Sequence, residues 1–171
     1  ELQAEKLTPH GVTSFRREVS TMIKLRNDRF ILPFVGYTID APYSLITEYV
    51  PNGTLYAYTH KTHKKASLSD THLTINAMAI AYGMMKMHEK LIIHRDLKCL
   101  NILLDNNYLP MIGDFGTSRN LQDTNNRKLT PYTGTITHMA PEILFMRPPP
   151  NMKKKEGSSN NDPSKKKDIR D

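Results

Sequence analysis

Two short apolar runs, Leu91-Ile92-Ile93 and Ile102-Leu103-Leu104, enclose the polar stretch His94-Arg95-Asp96-Leu97-Lys98-Cys99-Leu100-Asn101, and this juxtaposition constrains the fold more tightly than anything else in the chain. Charged and amide groups held beside buried strands lose their hydration, so they must meet one another, a metal or a substrate. A third apolar run, Pro110-Met111-Ile112, leads into Asp114-Phe115-Gly116, 13 residues after Asn101. The pattern predicts small strands that present loops, with Asp96, Asn101 and Asp114 aimed into one cleft. Asn101 and Asp114 offer oxygen ligands of the kind Mg²⁺ takes, because that ion uses few protein ligands and keeps phosphate oxygens and water for the rest. Asp96 is left as a proton acceptor, and Lys98 can neutralise a transferring phosphate. Taken one at a time, each carboxylate reads as a surface salt bridge or a cap; taken as a set they read as a site for phosphate chemistry.

Hydrophobic periodicity organises the remainder. From Thr13 to Leu25, Phe15, Val19, Met22 and Ile23 follow the spacing of an amphipathic helix, with Glu18 at the edge of the stripe. After the polar break Arg26-Asn27-Asp28-Arg29, Phe30 to Ile39 reads as a strand, and Tyr43 to Val50 as a second one beyond Ala41-Pro42. Pro51-Asn52-Gly53 ends it as a turn. A helix is predicted over Ser69 to Lys90, with Leu73, Ala77, Ile80, Ala81, Met84 and Met85 in register, and its methionines read as core packing. There is no internal repeat.

Composition narrows the class. With 171 residues, 38% apolar, the chain suits one ordinary domain and is too apolar for wholesale disorder, while its longest apolar run falls far short of a membrane span. One cysteine, Cys99, excludes a disulfide framework and a multi-cysteine zinc site, so a reducing, cytoplasmic setting is expected. The formal charge is +7, and residues 147–171 hold eight Lys/Arg against four Asp/Glu, which places +4 of it in the last 25 residues. That tail has only Met152 and Ile169 to bury and is expected to be disordered. Its lysine triplets resemble a nuclear-import signal, but no aromatic residue is interleaved, and nucleic acid is not the expected partner. His60 and His63 could share a metal, although no third ligand is evident and solvated surface is the simpler reading. Cys99, beside Lys98, is expected to be inert.

The polar loop as a whole resembles the catalytic loop of eukaryotic protein kinases, and Asp114-Phe115-Gly116 resembles their magnesium-binding motif. Ala140-Pro141-Glu142 then closes a segment of 29 residues counted from Asp114, as the activation segment of that family does. Lys98, two residues after Asp96, together with Gly134-Thr135, resembles the serine/threonine pattern. Asn101-Ile102-Leu103-Leu104-Asp105 and Met139-Ala140-Pro141-Glu142-Ile143-Leu144 are similar to the tyrosine-kinase-like group of serine/threonine kinases.

The resemblance implies an α+β, two-lobed fold, ATP and Mg²⁺ as cofactors, and a protein substrate with a Ser/Thr acceptor. It implies Asp96 as the base, Lys98 on the γ-phosphate, Thr135 bracing both, and Asn101 and Asp114 on the metal. Glu18 takes the place of the helix glutamate that pairs the ATP-binding lysine, and Met22, Phe34, His94 and Phe115 that of the regulatory hydrophobic stack. Thr47 resembles the gatekeeper, Glu48-Tyr49-Val50 the segment that reads adenine through its backbone, and Leu103 the floor beneath the base. Arg95 would meet a phosphate on the activation segment, where Thr124, Thr130, Tyr132 and Thr133 are candidate acceptors. His138 stands where related kinases often carry an aromatic residue.

Against the family's pattern, the chain is expected to be a central piece: no Gly-rich loop or strand lysine precedes Glu18, and Arg147-Pro148-Pro149-Pro150 stands where further helices would follow. Residues 1–146 are accordingly assigned to a partial kinase domain and 147–171 to the tail. The long helix should then leave an apolar face of Met, Ile and Leu uncovered, open to protein partners, and the isolated chain should bind ATP weakly or not at all and be partly unfolded or aggregation-prone. A catalytically inactive kinase-like scaffold is the alternative function.

Overall fold

The computed structural model describes residues 8–60, 68–122 and 133–145. Helix α1, Pro9–Leu25, starts where Thr8 caps it by accepting the Gly11 N–H at 3.2 Å, with Pro9 at the first helical position where no N–H is needed. It begins earlier than its apolar spacing predicts, and it buries Val19, Met22 and Leu25, whereas Ile23 is exposed. A step of three residues, repeated, turns the buried stripe away from Ile23 and brings Leu25 onto Ile31.

Strand β1, Phe34–Tyr37, pairs antiparallel with β2, Leu45–Thr47, across an irregularity between Phe34 and Gly36. Both are much shorter than predicted. Pro33 has no N–H to give to a ladder, so pairing starts only at Phe34. The preceding residues are held elsewhere: Ile112 donates to the Phe30 carbonyl and Leu32 to the Ile112 carbonyl, each at 2.8 Å. Helix α2, Leu55–Thr59, was not foreseen, because five residues are too few to show a period, yet it buries Leu55 and Tyr58.

Helix α3, Asp70–Glu89, is capped by Ser69, whose hydroxyl accepts the His72 N–H at 3.3 Å. Its extent agrees with the prediction, but its orientation does not. Asn76, Ala79, Gly83 and Met87 are buried, Ile80 and Met84 are half-buried against the core, and Leu73, Ala77, Ala81 and Met85 of the predicted stripe face outward. Gly83 decides this rotation: a Cβ there would lie 2.8 Å from Ile112 Cδ1 and 3.3 Å from Phe30 Cβ, so only glycine lets the helix come so close. The opposite face exposes Leu73, Ile75, Met78, Tyr82 and Met85, the uncovered apolar surface that the sequence led us to expect.

Three further elements frame the polar loops. Strands β4, Ile102–Leu104, and β5, Pro110–Ile112, form an antiparallel hairpin whose turn is tied by Asp105 Oδ1, which accepts the N–H groups of Asn107 and Leu109 at 2.8 Å. Strand β3, Ile92–Ile93, pairs with β6, Arg119–Asn120. A four-residue helix α4, Pro141–Leu144, follows the 3₁₀ turn Ile136–His138. The core joins α1, α2, α3 and these strands through Met22, Leu25, Leu55, Met87, Ile92, Ile102, Leu104, Ile112 and Phe115. Lys90 straps the ends of α1 and α3 together, its Nζ donating to the Lys24 carbonyl at 2.8 Å and to Asp28 Oδ2 at 2.6 Å. The architecture is α+β with small, separate antiparallel sheets. Among the described residues no helix is long and apolar enough to cross a membrane.

Candidate functional site

The loop between β3 and β4 turns its polar groups onto one another. His94 is fully buried; its Nε2 bonds the Gly113 carbonyl at 2.9 Å and its Nδ1 faces the Asp96 N–H at 3.3 Å. A carbonyl on one side and an amide donor on the other demand a neutral ring protonated at Nε2. Burial holds this histidine below its ordinary value of 6.5, against the weaker opposite pull of the Gly113 carbonyl and of Asp114 and Asp96. The ring packs on Phe115, with centroids 5.5 Å apart, and Phe115 shares the core with Met22 while Phe34 packs against it.

Asp96 sits at the centre. Its Oδ2 accepts Lys98 Nζ at 2.7 Å, its Oδ1 accepts the Thr135 N–H at 2.7 Å, and Lys98 Nζ also donates to Thr135 Oγ1 at 2.7 Å. The three residues thus close a triangle across 39 positions of sequence. Burial by itself would raise the Asp96 carboxyl, but the hydrogen bonds from Lys98 and Thr135 and the Lys98 charge outweigh it and hold it at about 2, below the ordinary 3.8. Asn101 adds its Nδ2, which donates to the Asp96 carbonyl at 2.9 Å and to Oδ2 at 3.2 Å.

Asp114 follows β5 in the left-handed region, at φ +58°, and its exposed carboxylate has no hydrogen-bond or ion-pair partner among the described residues. Glu18 comes to it from α1: a Cβ at Gly116 would lie 3.6 Å from Asp114 Oδ1 and 3.6 Å from Glu18 Oε2. Partial burial, and then the Asp114 charge, raise the Glu18 carboxyl above its ordinary 4.5, and no cation pairs it among the described residues.

The adenine-side candidates stand apart from this cluster. Thr47 closes β2 opposite Phe34, and Glu48 donates its N–H to the Pro33 carbonyl at 3.0 Å while its side chain is exposed. The Glu48 carbonyl and the Val50 N–H take no backbone partner among the described residues, so both are available to a ligand. Leu103 is half-buried in β4, bridges to Thr54, and comes close to Gly113, where a Cβ would lie 3.6 Å from its Cδ1.

Sequence reasoning missed Thr117. Its carbonyl accepts Arg95 Nε at 2.6 Å and its hydroxyl donates to the His94 carbonyl at 3.1 Å, fixing the loop from behind. The only signal was a hydroxyl residue next to Gly116, which names no partner 23 residues away. It also missed Arg17 and Arg119. Burial, and then the charges of Arg119 and Arg17, hold the Arg95 guanidinium below its ordinary value. Of the other candidates, Thr124, Thr130, Tyr132, His63 and the tail 147–171 lie outside the described residues. His60 Nδ1 lies within hydrogen-bond distance of the Tyr56 carbonyl and Thr59 Oγ1, and no group of three His, Cys, Asp or Glu suited to a metal occurs among the described residues.

The donors that remain suit a hard cation with few protein ligands. Asn101 uses its Nδ2 on Asp96 and leaves Oδ1 without a donor, and both Asp114 oxygens are unpartnered. Oxygen donors of this kind are the ligand type Mg²⁺ takes.

The family model for protein tyrosine and serine/threonine kinase matches residues 2–149. The chain is 35% identical over 148 residues to the serine/threonine-protein kinase STY46 of Arabidopsis thaliana, covering 86% of this chain and 25% of that protein. It is 37% identical over 136 residues to the proline-rich receptor-like protein kinase PERK4 of the same plant, covering 77% and 21%. A dual specificity protein kinase, shkB of Dictyostelium discoideum, is 32% identical over 157 residues, covering 86% and 24%. The chain spans about a quarter of the length of these relatives.

Proposed function

The chain belongs to the family of protein tyrosine and serine/threonine kinases, and from that premise we propose that its protein transfers the γ-phosphate of ATP to Ser/Thr hydroxyls of a protein substrate. The observation that carries this reading is the closed triangle of Asp96, Lys98 and Thr135. Asp96 is ionised at neutral pH and can accept a proton, and Lys98 Nζ is held beside it as a fixed positive charge. The acceptor oxygen attacks the γ-phosphorus as its proton passes to Asp96, the bond from that phosphorus to the bridging oxygen breaks, and ADP leaves with the electron pair. Lys98 neutralises the charge spread over the transferring group. Thr135, bonded to both residues, keeps them in register and supports the serine/threonine assignment over the tyrosine one.

Asn101 Oδ1 and the Asp114 carboxylate would hold Mg²⁺, which supplies charge neutralisation to the phosphates. The Glu48 carbonyl and Val50 N–H would read the adenine edge, above Leu103. Glu18 would pair a lysine, and its present proximity to Asp114 leaves it a charge in need of one. Arg95, whose side chain is anchored on the Thr117 carbonyl, would receive a phosphate on the activation segment. We further place the protein in the tyrosine-kinase-like group, assign residues 1–146 to the kinase body and 147–171 to a basic tail, and expect it to work in the cytoplasm, with protein partners on the exposed face of α3.

The test is Asp96→Asn. With Mg·ATP and a Ser/Thr peptide, the substitution should lower kcat by roughly 10²–10⁴, the range expected for a general base, while the peptide KM changes little. An unchanged rate would exclude Asp96 as the base.

A further inference from the structure

We infer that Gly134 is a positioning residue of the phosphotransfer site: its missing side chain lets residues 133–135 lie against the Arg95 carbonyl, and that contact sets Thr135 where it reaches both Asp96 and Lys98. Three observations converge. Gly134 has φ +116°, a conformation that residues with a Cβ rarely adopt. A Cβ built on it would overlap the Arg95 carbonyl oxygen, and it would also lie 3.6 Å from Asp96 Oδ1. The very next residue donates its N–H to that same Oδ1, and its hydroxyl oxygen accepts from Lys98 Nζ, both at 2.7 Å.

The obstacle cannot yield easily. The Arg95 carbonyl is backbone rather than the end of a flexible side chain, and Arg95 is itself held in the left-handed region at φ +69°. Its side chain is tied to the Thr117 carbonyl, and Thr117 is tied back to the His94 carbonyl. A methyl group at position 134 must therefore push the 133–135 segment outward, and Thr135 moves with it. Asp96 and Lys98 keep each other but lose the residue that ties both to the far side of the site.

Gly53 provides the control, since it has φ +70° and nothing within 4 Å of a built Cβ. Gly53→Ala carries a left-handed backbone cost, smaller than the one at φ +116°, without the collision. The inference rests on the phosphotransfer reading for its kinetic consequence only, so the experiment has a second arm that needs no turnover. In the full chain, hydrogen exchange of the Thr135 amide, followed by NMR, should accelerate roughly tenfold or more in Gly134→Ala, the loss expected for one charge-assisted hydrogen bond, and stay unchanged in Gly53→Ala. In the kinetic arm, with Mg·ATP and a Ser/Thr peptide, Gly134→Ala should lower kcat at least tenfold with the KM for ATP preserved. A Thr135 amide that keeps its protection in Gly134→Ala overturns the inference, and so does a Gly134→Ala chain that fails to fold while Gly53→Ala folds, because the role is then structural. If the amide responds as expected and Asp96→Asn leaves the rate of phosphate transfer unchanged, the positioning inference stands and the assignment of Asp96 as the base falls.

Discussion

Glu18 and Asp114 bring like charges together around Gly116, and the cost of that arrangement falls on Glu18, which burial and the Asp114 charge raise above 4.5. A carboxyl raised on folding binds its proton more tightly in the native state, so its contribution to stability is fully present below pH 4.5 and is lost as pH rises through the raised value. Glu18→Gln removes that loss. The variant should melt at a higher temperature than the wild type at pH 7, and the advantage should vanish below pH 4.5; thermal melts at the two pH values measure it. Asp96 shows the opposite case at the same scale. It is more deeply buried than Glu18, yet Lys98 and Thr135 hydrogen-bond its charged form and bring it down to about 2. Two carboxylates in one site are thus driven apart by their partners rather than by burial alone. The identity of both residues was legible in the sequence, and the difference between them was not.

At the scale of elements, helix α3 shows how a small residue can outrank hydrophobic ones. A stripe drawn through Leu73, Ala77, Ala81 and Met85 maximises apolar content, but the helix packs through Asn76, Ala79, Gly83 and Met87 because Gly83 allows contact with Phe30 and Ile112. Gly83→Ala would place a methyl group 2.8 Å from Ile112 Cδ1 and should cost about 1–3 kcal/mol by overpacking, although alanine is intrinsically the better helix former. Denaturant unfolding monitored by far-UV circular dichroism measures the loss, and a gain in stability would show that the helix is free to shift. Helix boundaries were legible from Ser69 and the length of the period, since capping and periodicity are local. The facing side was not, because it depends on residues 30 and 112, which are distant in sequence. The same holds for β1: Pro33 marks its start locally, while the hydrogen bonds that carry Phe30 and Leu32 go to β5.

For the whole molecule, acid sensitivity follows from which groups folding shifts. His94 is lowered below 6.5 and is buried as the neutral ring, so the unfolded chain takes up its proton first and stability falls as pH drops below 6.5. Asp96 is also lowered, and its contribution, present above 3.8, is lost as pH falls toward about 2. Glu18, raised above 4.5, acts in the reverse direction. Melting temperature should therefore decline in two steps on acidification, the first beginning near pH 6.5 and absent from His94→Phe, which cannot take up a proton. The outward side of α3, where Leu73, Ile75, Met78, Tyr82 and Met85 are exposed, belongs to this scale too. By itself the sequence determined the two long helices and the polar set, because helical period and the order of Asp96, Lys98, Asn101 and Asp114 are properties of neighbouring residues, whereas the short helix α2 and the strand lengths were not legible. The family resemblance had already implied Thr135 as a brace for Asp96 and Lys98; only the tertiary structure decided which atoms meet there, that Thr117 backs the loop, and that Gly134 and Gly83 are contact points, because each depends on excluded volume and hydrogen bonds between segments that meet only in three dimensions.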